Sequence, residues 1–361
     1  MTSRSPILQL KAFILLFWMA STCCKKDSSQ DVFSPGSHQV KLEIPGNFPA
    51  AAEDADNLQT KEGVALGRAL FYETRLSANN KISCASCHRQ DLAFSDGLAQ
   101  SDQGISGKQM TRNAPALFNL AWSDSGLFWD GGAKNLESQA FGPLTNEDEM
   151  HQDLVELEAK LNAMPKYVSK FKLAFKEGVS SANVVKALAQ FQRTLISAGS
   201  RYDMYKRGEA GGNLSAIELE GLSLVESKCK GCHSGELFTD YSYHNNGIDE
   251  SFSDELDGIY QGRFRVSFNP LDIGKFKTPT LRNILLTAPY MHDGRFNSIE
   301  DVLDHYSSGI KRSATVDQLL IKDDGNPGIV MKPEEKNAVL AFLKTLTDQS
   351  FIQNKNISKP N

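Results

Sequence analysis

The sequence lacks an apolar run long enough to cross a bilayer, and it lacks clustered positive charge. The apolar run at residues 12–20 is nine residues long, whereas a spanning helix needs about 20. Lys and Arg number 39 against 44 Asp and Glu, which gives a formal net charge of −5. Nucleic acid is therefore not an expected partner, because binding of the phosphate backbone needs clustered positive charge.

The composition is that of an ordinary globular protein. With 40% apolar and 23% charged residues, the chain is neither collagen-like, nor low-complexity, nor a polytopic membrane protein. Its 361 residues suit about two domains. Strand alternation is not convincing anywhere, whereas helical spacing recurs. Apolar faces at this spacing are Val184, Leu188, Phe191 and Leu195 and, in a last helix opened by Pro333, Val339, Phe342, Leu343 and Leu346. We therefore expect a mainly α fold.

The N-terminus resembles a bacterial lipoprotein signal. The run at 12–20 fits the h-region of a secretory signal better than a buried core helix, because its flanks are charged or polar. Cys23 and Cys24 follow it, and either could carry the lipid. Residues 1–24 are interpreted as the signal, and 25–45 as a flexible tether. This interpretation predicts a periplasmic protein that is anchored to the membrane by lipid.

The other four cysteines lie in two Cys-x-x-Cys-His motifs, at 84–88 and 229–233. A Cys-x-x-Cys pair alone would also suit zinc or a thioredoxin-like redox centre. The directly following histidine makes the difference, because two thiols can bond the haem vinyl groups while the imidazole binds the iron. The motifs predict two covalently bound haem c groups, held by Cys84, Cys87 and His88 and by Cys229, Cys232 and His233. No cysteine is then left for a structural disulfide.

The sequence around the two motifs repeats. Arg-Asn-Ala-Pro-Ala-Leu-Phe-Asn at 112–119 corresponds to Lys-Thr-Pro-Thr-Leu-Arg-Asn at 277–283. Phe-Trp-Asp-Gly at 128–131 corresponds to Met-His-Asp-Gly at 291–294. A helical pattern precedes each haem motif as well. We interpret these correspondences as the internal duplication of one cytochrome c-like domain.

The duplication predicts two cytochrome c-like haem domains. Their boundary is expected between about Ser200 and Asn213, a segment in which Gly208, Gly211 and Gly212 cluster. This gives an N-terminal domain at 46–205, a C-terminal domain at 206–350 and a tail at 351–361.

The sixth coordination position of each iron decides what each haem can do. Thirteen residues after the Asp-Gly aspartate, the two halves carry Pro143 and Tyr306. Proline has no group that binds iron, so the N-terminal haem is expected to be open, whereas tyrosine can bind ferric iron as phenolate. Tyr306 is also in phase with apolar helix residues and could be an ordinary core side chain. Met291 is a competing axial ligand on chemical grounds, and His305 is expected to face solvent.

Residues from about 45 to 349 resemble the bacterial di-haem cytochrome c peroxidase family, most closely its MauG branch. The resemblance rests on both haem motifs and on four further motifs in order. These are Arg-Asn-Ala-Pro at 112–115, Phe-Trp-Asp-Gly at 128–131, Gly-Pro-Leu-Thr-Asn-Glu-Asp-Glu-Met at 142–150 and Thr-Ala-Pro-Tyr-Met-His-Asp-Gly-Arg at 287–295. The resemblance implies a peroxidatic N-terminal haem domain and an electron-transfer C-terminal one.

The resemblance also implies roles for single residues. Glu149 corresponds to the distal acid–base group beside the N-terminal haem, and Gln139 and Pro143 to its neighbours in the distal pocket. Trp129 corresponds to the tryptophan between the two haems. The implied ligands of a calcium ion between the domains are Asn113, Thr287 and Pro289.

Two positions depart from the peroxidase branch of the family. That branch carries a second histidine 16 residues beyond the first Cys-x-x-Cys-His histidine, where this sequence has Gly104. It also carries methionine where this sequence, like the MauG branch, has Tyr306. An anionic phenolate stabilises ferric iron, so the C-terminal haem is expected to have a low potential.

The leading hypothesis is a peroxidase. Hydrogen peroxide would be reduced at the His88 haem, with electrons that an exported donor, such as a small cytochrome c or a cupredoxin, delivers through the His233 haem. Glu149 would transfer a proton between the two peroxide oxygens. Two alternatives stay open: MauG-like oxidation of protein side chains for quinone-cofactor maturation, and a non-catalytic di-haem electron-transfer cytochrome.

Structural alternatives exist for several of these residues. Trp129 could be a packing residue, as indoles usually are. The acidic run at 147–149 could be a solvated helix start. His244 resembles a family loop near the second haem, but it could equally belong to a capped turn.

Overall fold

The computed structural model describes Met1 and residues 37–361. The predicted signal, apart from Met1, and residues 25–36 of the predicted tether lie outside the described residues. The helices and strands are α1 (Lys61–Phe71), α2 (Cys84–Cys87), α3 (Leu136–Thr145), α4 (Leu154–Asn162), α5 (Pro165–Ala174), α6 (Ser181–Arg193), α7 (Arg201–Lys206), α8 (Ala216–Lys228), β1 (Tyr243–His244), α9 (Glu255–Gly258), α10 (Phe264–Ser267), β2 (Phe276–Lys277), α11 (Ile299–Asp304), α12 (Pro333–Lys344) and α13 (Gln349–Ile352). A π-helical turn, His305–Gly309, directly follows α11.

Helices dominate the described part of the chain, so the expectation of a mainly α fold is confirmed. The strands β1 and β2 have two residues each and pair antiparallel, with Tyr243 opposite Lys277. Across residues 37–361, no helix combines the length and the hydropathy of a membrane span.

The elements from α1 to α6, here called the N-terminal lobe, are built around the close packing of α1 against α6. A Cβ atom at Gly67 would lie only 1.9 Å from the carbonyl oxygen of Ala187, so glycine is what lets the two helices approach. The predicted apolar face of α6 is buried, together with Leu195 just beyond its end. Thr60 begins α1 by accepting a hydrogen bond from the backbone of Gly63.

The elements from α8 to α12, here called the C-terminal lobe, repeat this arrangement through the packing of α8 against α12. A Cβ atom at Gly221 would lie 2.0 Å from the carbonyl oxygen of Ala338. Pro333 begins α12, as the sequence predicts. The predicted apolar face of this helix is buried in a cluster that includes Val339, Phe342, Leu343 and Leu346.

Further local geometry recurs between the lobes. Asn119 and Asn283 have left-handed backbone conformations, with φ angles of 56° and 54°, and each begins a short 3-10 turn. Single antiparallel bridges, Leu127 with Ala133 and Tyr290 with Phe296, enclose the two Asp-Gly turns. The geometry agrees with the sequence repeats, whereas the duplication itself stays a prediction.

A buried ion pair ties α7 to the C-terminal lobe. The guanidinium of Arg282 donates two hydrogen bonds of 2.8 Å to the carboxylate of Asp203, and both side chains are almost wholly buried. Arg282 also donates to the carbonyl oxygen of Glu236. Although burial opposes ionisation of the carboxyl group, the guanidinium holds the pKa of Asp203 below its usual value.

The predicted tether is fixed over its described part. His38 lies 2.8 Å from the carboxylate of Glu62 on α1, and the backbone N–H of Val40 donates to the carbonyl oxygen of Gln59. Contacts with the rest of the chain are therefore already present at His38, before the expected domain start at 46.

The C-terminal residues return to the N-terminal lobe. Phe351 on α13 is 3% exposed, and its ring lies 5.6 Å from that of Phe94 and 5.9 Å from that of Phe118. Further along, Arg68 donates to the carbonyl oxygen of Ser358, and Tyr72 donates to that of Ile357. The segment after α12 therefore completes the core of the lobe at the other end of the sequence.

This packing predicts a large loss of stability in Phe351→Ala. Truncating a buried aromatic side chain should lower the free energy of unfolding by about 3–5 kcal/mol. Urea denaturation of the haem-loaded protein, followed by far-UV circular dichroism, measures the change. Val155→Ala is the control, because Val155 is 78% exposed and its loss should cost less than about 0.5 kcal/mol. A loss for Phe351→Ala as small as that of the control would contradict the packing.

Candidate functional site

Each Cys-x-x-Cys-His motif presents its histidine in a fixed orientation. The Nδ1 atom of His88 lies 2.9 Å from the carbonyl oxygen of Phe94, and that of His233 lies 3.2 Å from the carbonyl oxygen of Phe238. Donation from Nδ1 leaves Nε2 of both imidazoles available to a metal. Burial lowers the pKa of both histidines, which favours the neutral form that a metal binds.

The backbone after each motif explains this orientation. Phe94 and Phe238 adopt left-handed conformations, with φ angles of 60° and 49°. The chain therefore reverses within a few residues, and the carbonyl oxygen of each phenylalanine returns to the imidazole. A single bridge between Arg89 and Ser95 holds the first reversal.

Two cavities accompany the two motifs. The N-terminal cavity has a volume of about 550 Å³ and is lined by Cys84, Cys87 and His88. The C-terminal cavity, of about 300 Å³, is lined by Cys229, Cys232 and His233, among mostly apolar neighbours. None of these four cysteines is paired in a disulfide.

The donor groups of both cavities fit haem c. Each cavity brings two thiols and one imidazole to the same apolar space, which are the groups that covalent haem attachment needs. Among residues 37–361, no group of three His, Cys, Asp or Glu side chains has the arrangement that would hold a metal ion directly.

The predicted distal residues lie together in the N-terminal cavity. Gln139 and Pro143 on α3, and Glu149 beyond its end, all line it. The side-chain amide of Asn146 donates to Oε1 of Glu149 over 3.0 Å. Burial raises the pKa of the Glu149 carboxyl against the effect of this hydrogen bond. Glu149 is therefore a half-buried carboxyl group that lines the cavity, and not a fully solvated carboxylate of a helix start.

Gly104 lies in the same cavity, directly against the distal segment. A Cβ atom at this position would be 1.8 Å from the carbonyl oxygen of Asp148 and 3.1 Å from the Cα atom of Glu149. A histidine at 104 therefore has no room while Glu149 keeps this position.

Trp129 lines both cavities. Its indole Nε1 donates to the carbonyl oxygen of Asn113 over 2.9 Å, and its own carbonyl oxygen accepts from the backbone of Lys277 on β2. The indole is thus held by Asn113 and the backbone of Trp129 by Lys277, at the place where the two cavities meet.

Tyr306 faces the C-terminal cavity from the π-helical turn. Burial raises the pKa of its hydroxyl to about 12, and the side chain of Asn246 bonds to it. The same Asn246 donates to the sulfur of Met291 over 3.3 Å, and Met291 also lines this cavity. Both predicted candidates for the axial position are therefore present on one side of the cavity.

Two other histidines, His305 and His244, lie beside definite partners. His305 was expected to face solvent, and this expectation is wrong: it is 6% exposed, with Nε2 3.0 Å from the carbonyl oxygen of Asn246. His244 lies between two carboxylates, 2.8 Å from Asp240 and 2.5 Å from Asp317. Hydrogen bonds with Cys232 and with these carboxylates raise the pKa of His244 to about 10 against the effect of burial. Its spacing of four residues from Asp240 was the only sequence signal of this cluster.

The three predicted calcium ligands line one cavity. Asn113, Thr287 and Pro289 all border the C-terminal cavity, near Trp129. The side-chain nitrogen of Asn113 donates to the carbonyl oxygen of Leu98 over 2.8 Å, which fixes the orientation of the amide. Oxygen donors of this kind suit calcium.

Comparisons with known proteins agree with this arrangement. The family model for di-haem cytochrome c peroxidases matches residues 61–211. Methylamine utilization protein MauG of Methylorubrum extorquens is 36% identical over 331 residues, covering 91% of this chain and 88% of that protein. The chain belongs to the di-haem cytochrome c peroxidase family.

Other members of the di-haem cytochrome c peroxidase family are similarly related. Cytochrome c551 peroxidase of Nitrosomonas europaea is 34% identical, with 84% of this chain and 85% of that protein covered. The crystal structure of a MauG-like protein associated with microbial copper homeostasis is 35% identical, with a TM-score of 0.80 over 89% of this chain and 99% of that chain. Membership confirms the resemblance seen in the motifs. The chain is thus an oxidoreductase of the peroxidase type, and its family implies two c-type haems.

Proposed function

We propose that this chain reduces hydrogen peroxide at the haem held by Cys84, Cys87 and His88. Electrons reach that haem from an exported redox donor, a small cytochrome c or a cupredoxin, through the haem held in the C-terminal lobe. The proposal includes two cytochrome c-like domains, at 46–205 and 206–350, that arose by duplication. It is supported most by one observation: two similar cavities meet at Trp129 and differ on their distal sides.

The chemistry of the N-terminal cavity depends on Glu149. Haem iron bound there supplies the centre at which peroxide is taken up and reduced. The carboxylate of Glu149 accepts the proton from the proximal peroxide oxygen and returns it to the distal one, so that the distal oxygen leaves as water. Pro143 offers no atom that could bind iron. Gln139, which lies on the same helix and is 9% exposed, orients the substrate with its side-chain amide.

The C-terminal cavity is proposed to serve electron transfer. Tyr306 would bind the iron of a haem held there as phenolate, and such a ligand would keep the potential of that haem low. Burial raises the pKa of the Tyr306 hydroxyl to about 12. Binding of the oxygen to ferric iron would displace its proton in spite of this. Trp129, in contact with both cavities, connects the two haems.

Three accompanying features belong to the same proposal. A calcium ion is held by Asn113, Thr287 and Pro289 near the junction of the lobes. The chain is exported to the periplasm, and a lipid on Cys23 or Cys24 anchors it to the membrane.

One alternative function has a specific observation in its favour. The identity of 36% to a methylamine utilization protein MauG, together with a tyrosine at 306, favours the oxidation of a partner protein's side chains during quinone-cofactor maturation. In that case the same N-terminal haem would consume peroxide, while the electrons would come from the protein substrate.

Electron paramagnetic resonance of the resting ferric protein tests the proposed asymmetry. An open N-terminal haem and a tyrosinate-bound C-terminal haem should give one high-spin and one low-spin signal. A chain that merely carries electrons has both irons six-coordinate. Two low-spin signals of equal weight would therefore support the carrier and contradict the peroxidase.

Glu149→Gln should slow the reaction with peroxide by about 10²–10⁴-fold, the range that a general acid–base group contributes. Stopped-flow absorbance of the haem bands after mixing with peroxide measures the rate. Glu147→Gln, which removes the same charge from an exposed position two residues away, is the control and should react like the wild type. Equal rates for Glu149→Gln and Glu147→Gln would refute the role of Glu149.

Tyr306→Met should raise the potential of the C-terminal haem by on the order of a few tenths of a volt, because axial ligands set haem potentials over about 0.8 V. A spectroelectrochemical titration of both haems measures it. Tyr306→Phe, which removes only the hydroxyl, should change the low-spin ferric spectrum, whereas Met291→Leu should not. The opposite pair of results would assign the axial position to Met291.

A further inference from the structure

The loop at residues 101–110 runs between the first haem-attachment motif and the distal carboxylate. At its start, Ser101 Oγ donates to the sulfur of Cys87 over 3.8 Å. The backbone N–H of Met110 donates to the carbonyl oxygen of Ser101 over 2.7 Å and closes the base of the loop. The loop is therefore a closed unit with one end fixed beside the haem attachment.

The tip of this loop is in direct backbone contact with the distal segment. The N–H of Ile105 donates to the carbonyl oxygen of Glu149 over 2.7 Å. At Gly104 the two backbones lie so close that a Cβ atom would meet the carbonyl oxygen of Asp148 at 1.8 Å. Lys108 also forms an ion pair with Asp148, with 2.8 Å between the two charged groups. Because the lysine side chain is solvent-exposed, this pair adds little stability to the contact.

Two further hydrogen bonds of Glu149 are local. Asn146 donates to its Oε1 atom, and the backbone of Glu149 donates to the carbonyl oxygen of Asn146 over 3.1 Å. Both of these contacts come from the turn that follows α3, in which Glu149 itself lies. The loop at 101–110 supplies the opposing contact, from the part of the chain that carries the haem motif.

We propose that the loop at 101–110 positions Glu149 like a clamp. Gly104, which has no side chain, allows the loop to approach the distal segment closely, and the N–H of Ile105 binds the backbone of Glu149. Together they determine the position of the catalytic carboxylate. The inference rests on the proposed function, in which Glu149 transfers the peroxide proton. Gly104 and Ile105 are positioning residues, because they act through Glu149.

The physical reason is the tight tolerance of proton transfer. A misplacement of about 1 Å can cost about 10²-fold in rate. An ordinary contact between a Cβ atom and a carbonyl oxygen is longer than 3.4 Å, so Gly104→Ala must move the loop and the Asp148–Glu149 backbone apart by more than an ångström. Gly104 is not among the glycines with a positive φ angle, so alanine can adopt its backbone conformation. Gly104→Ala therefore alters only the contact between the loop and the distal segment.

The test compares the haem-loaded wild type with Gly104→Ala, Glu149→Gln and the double variant. Gly46→Ala is the control, because a Cβ atom at Gly46 would have nothing within 4 Å and this glycine lies outside the loop. Stopped-flow rates with peroxide are measured from acid to alkaline pH. Gly104→Ala should react about 10–10²-fold more slowly than the wild type, with a displaced pH profile, whereas Gly46→Ala should match the wild type.

The double variant separates positioning from general damage. If Gly104 acts through Glu149, adding Gly104→Ala to Glu149→Gln should cause no further loss of rate, because coupled residues are not additive. A further loss equal to that of the single variant would overturn the inference. So would a Gly104→Ala protein with the rate and pH profile of the wild type.

The same set of variants also distinguishes a failure of the clamp from a failure of the proposed function. A wild type that reacts slowly, or a fast Glu149→Gln, would refute the proposed function. A slow Glu149→Gln beside a normal Gly104→Ala would refute only the clamp. If Gly104→Ala does not take up two haems, Ile105→Pro, which removes the donor N–H without adding bulk at 104, replaces it, with the same expected loss and the same double-variant comparison.

Discussion

The hydrogen bond between each haem-motif imidazole and a backbone carbonyl is the constraint on which the rest of the structure depends. It fixes one nitrogen of His88 and of His233, so that the other can face the cavity. The bond exists only because the chain reverses at Phe94 and Phe238, whose rings are themselves buried in the two lobes. Core packing and metal-ligand orientation therefore come from the same residues, and neither can change alone.

Upon this shared frame, the two lobes differ where chemistry is decided. The helix after the first Asp-Gly turn carries a proline at 143, and the corresponding helix in the second half ends in a π-helical turn that carries Tyr306. π-Helical turns often occur at functional sites, since the extra residue redirects a side chain. One frame thus accommodates a phenol that faces one cavity and none at the matching position of the other.

The sequence was most informative where the signal is local. The Cys-x-x-Cys-His motifs and the apolar spacing of α6 and α12 predict their own structure, because neighbouring residues alone determine it. His305 was misplaced because an ordinary helical phase turns it outward, whereas the π-helical turn brings it against Asn246. The family motifs supplied the residue types of the distal pocket. The contact of Gly104 with Asp148 and the burial that raises the pKa of Glu149 come from the fold, since no spacing rule relates positions so far apart in the chain.

The return of the C-terminal residues to the first lobe has a consequence for biosynthesis. Phe94 and Phe118 acquire an aromatic neighbour from Phe351, which is synthesised after both haem motifs. The part of the protein that is synthesised first is thus completed by residues that follow α12. Until Phe351 has been synthesised, the reversal that orients His88 lacks one wall of its core, so this core can close only after the second haem motif has been made.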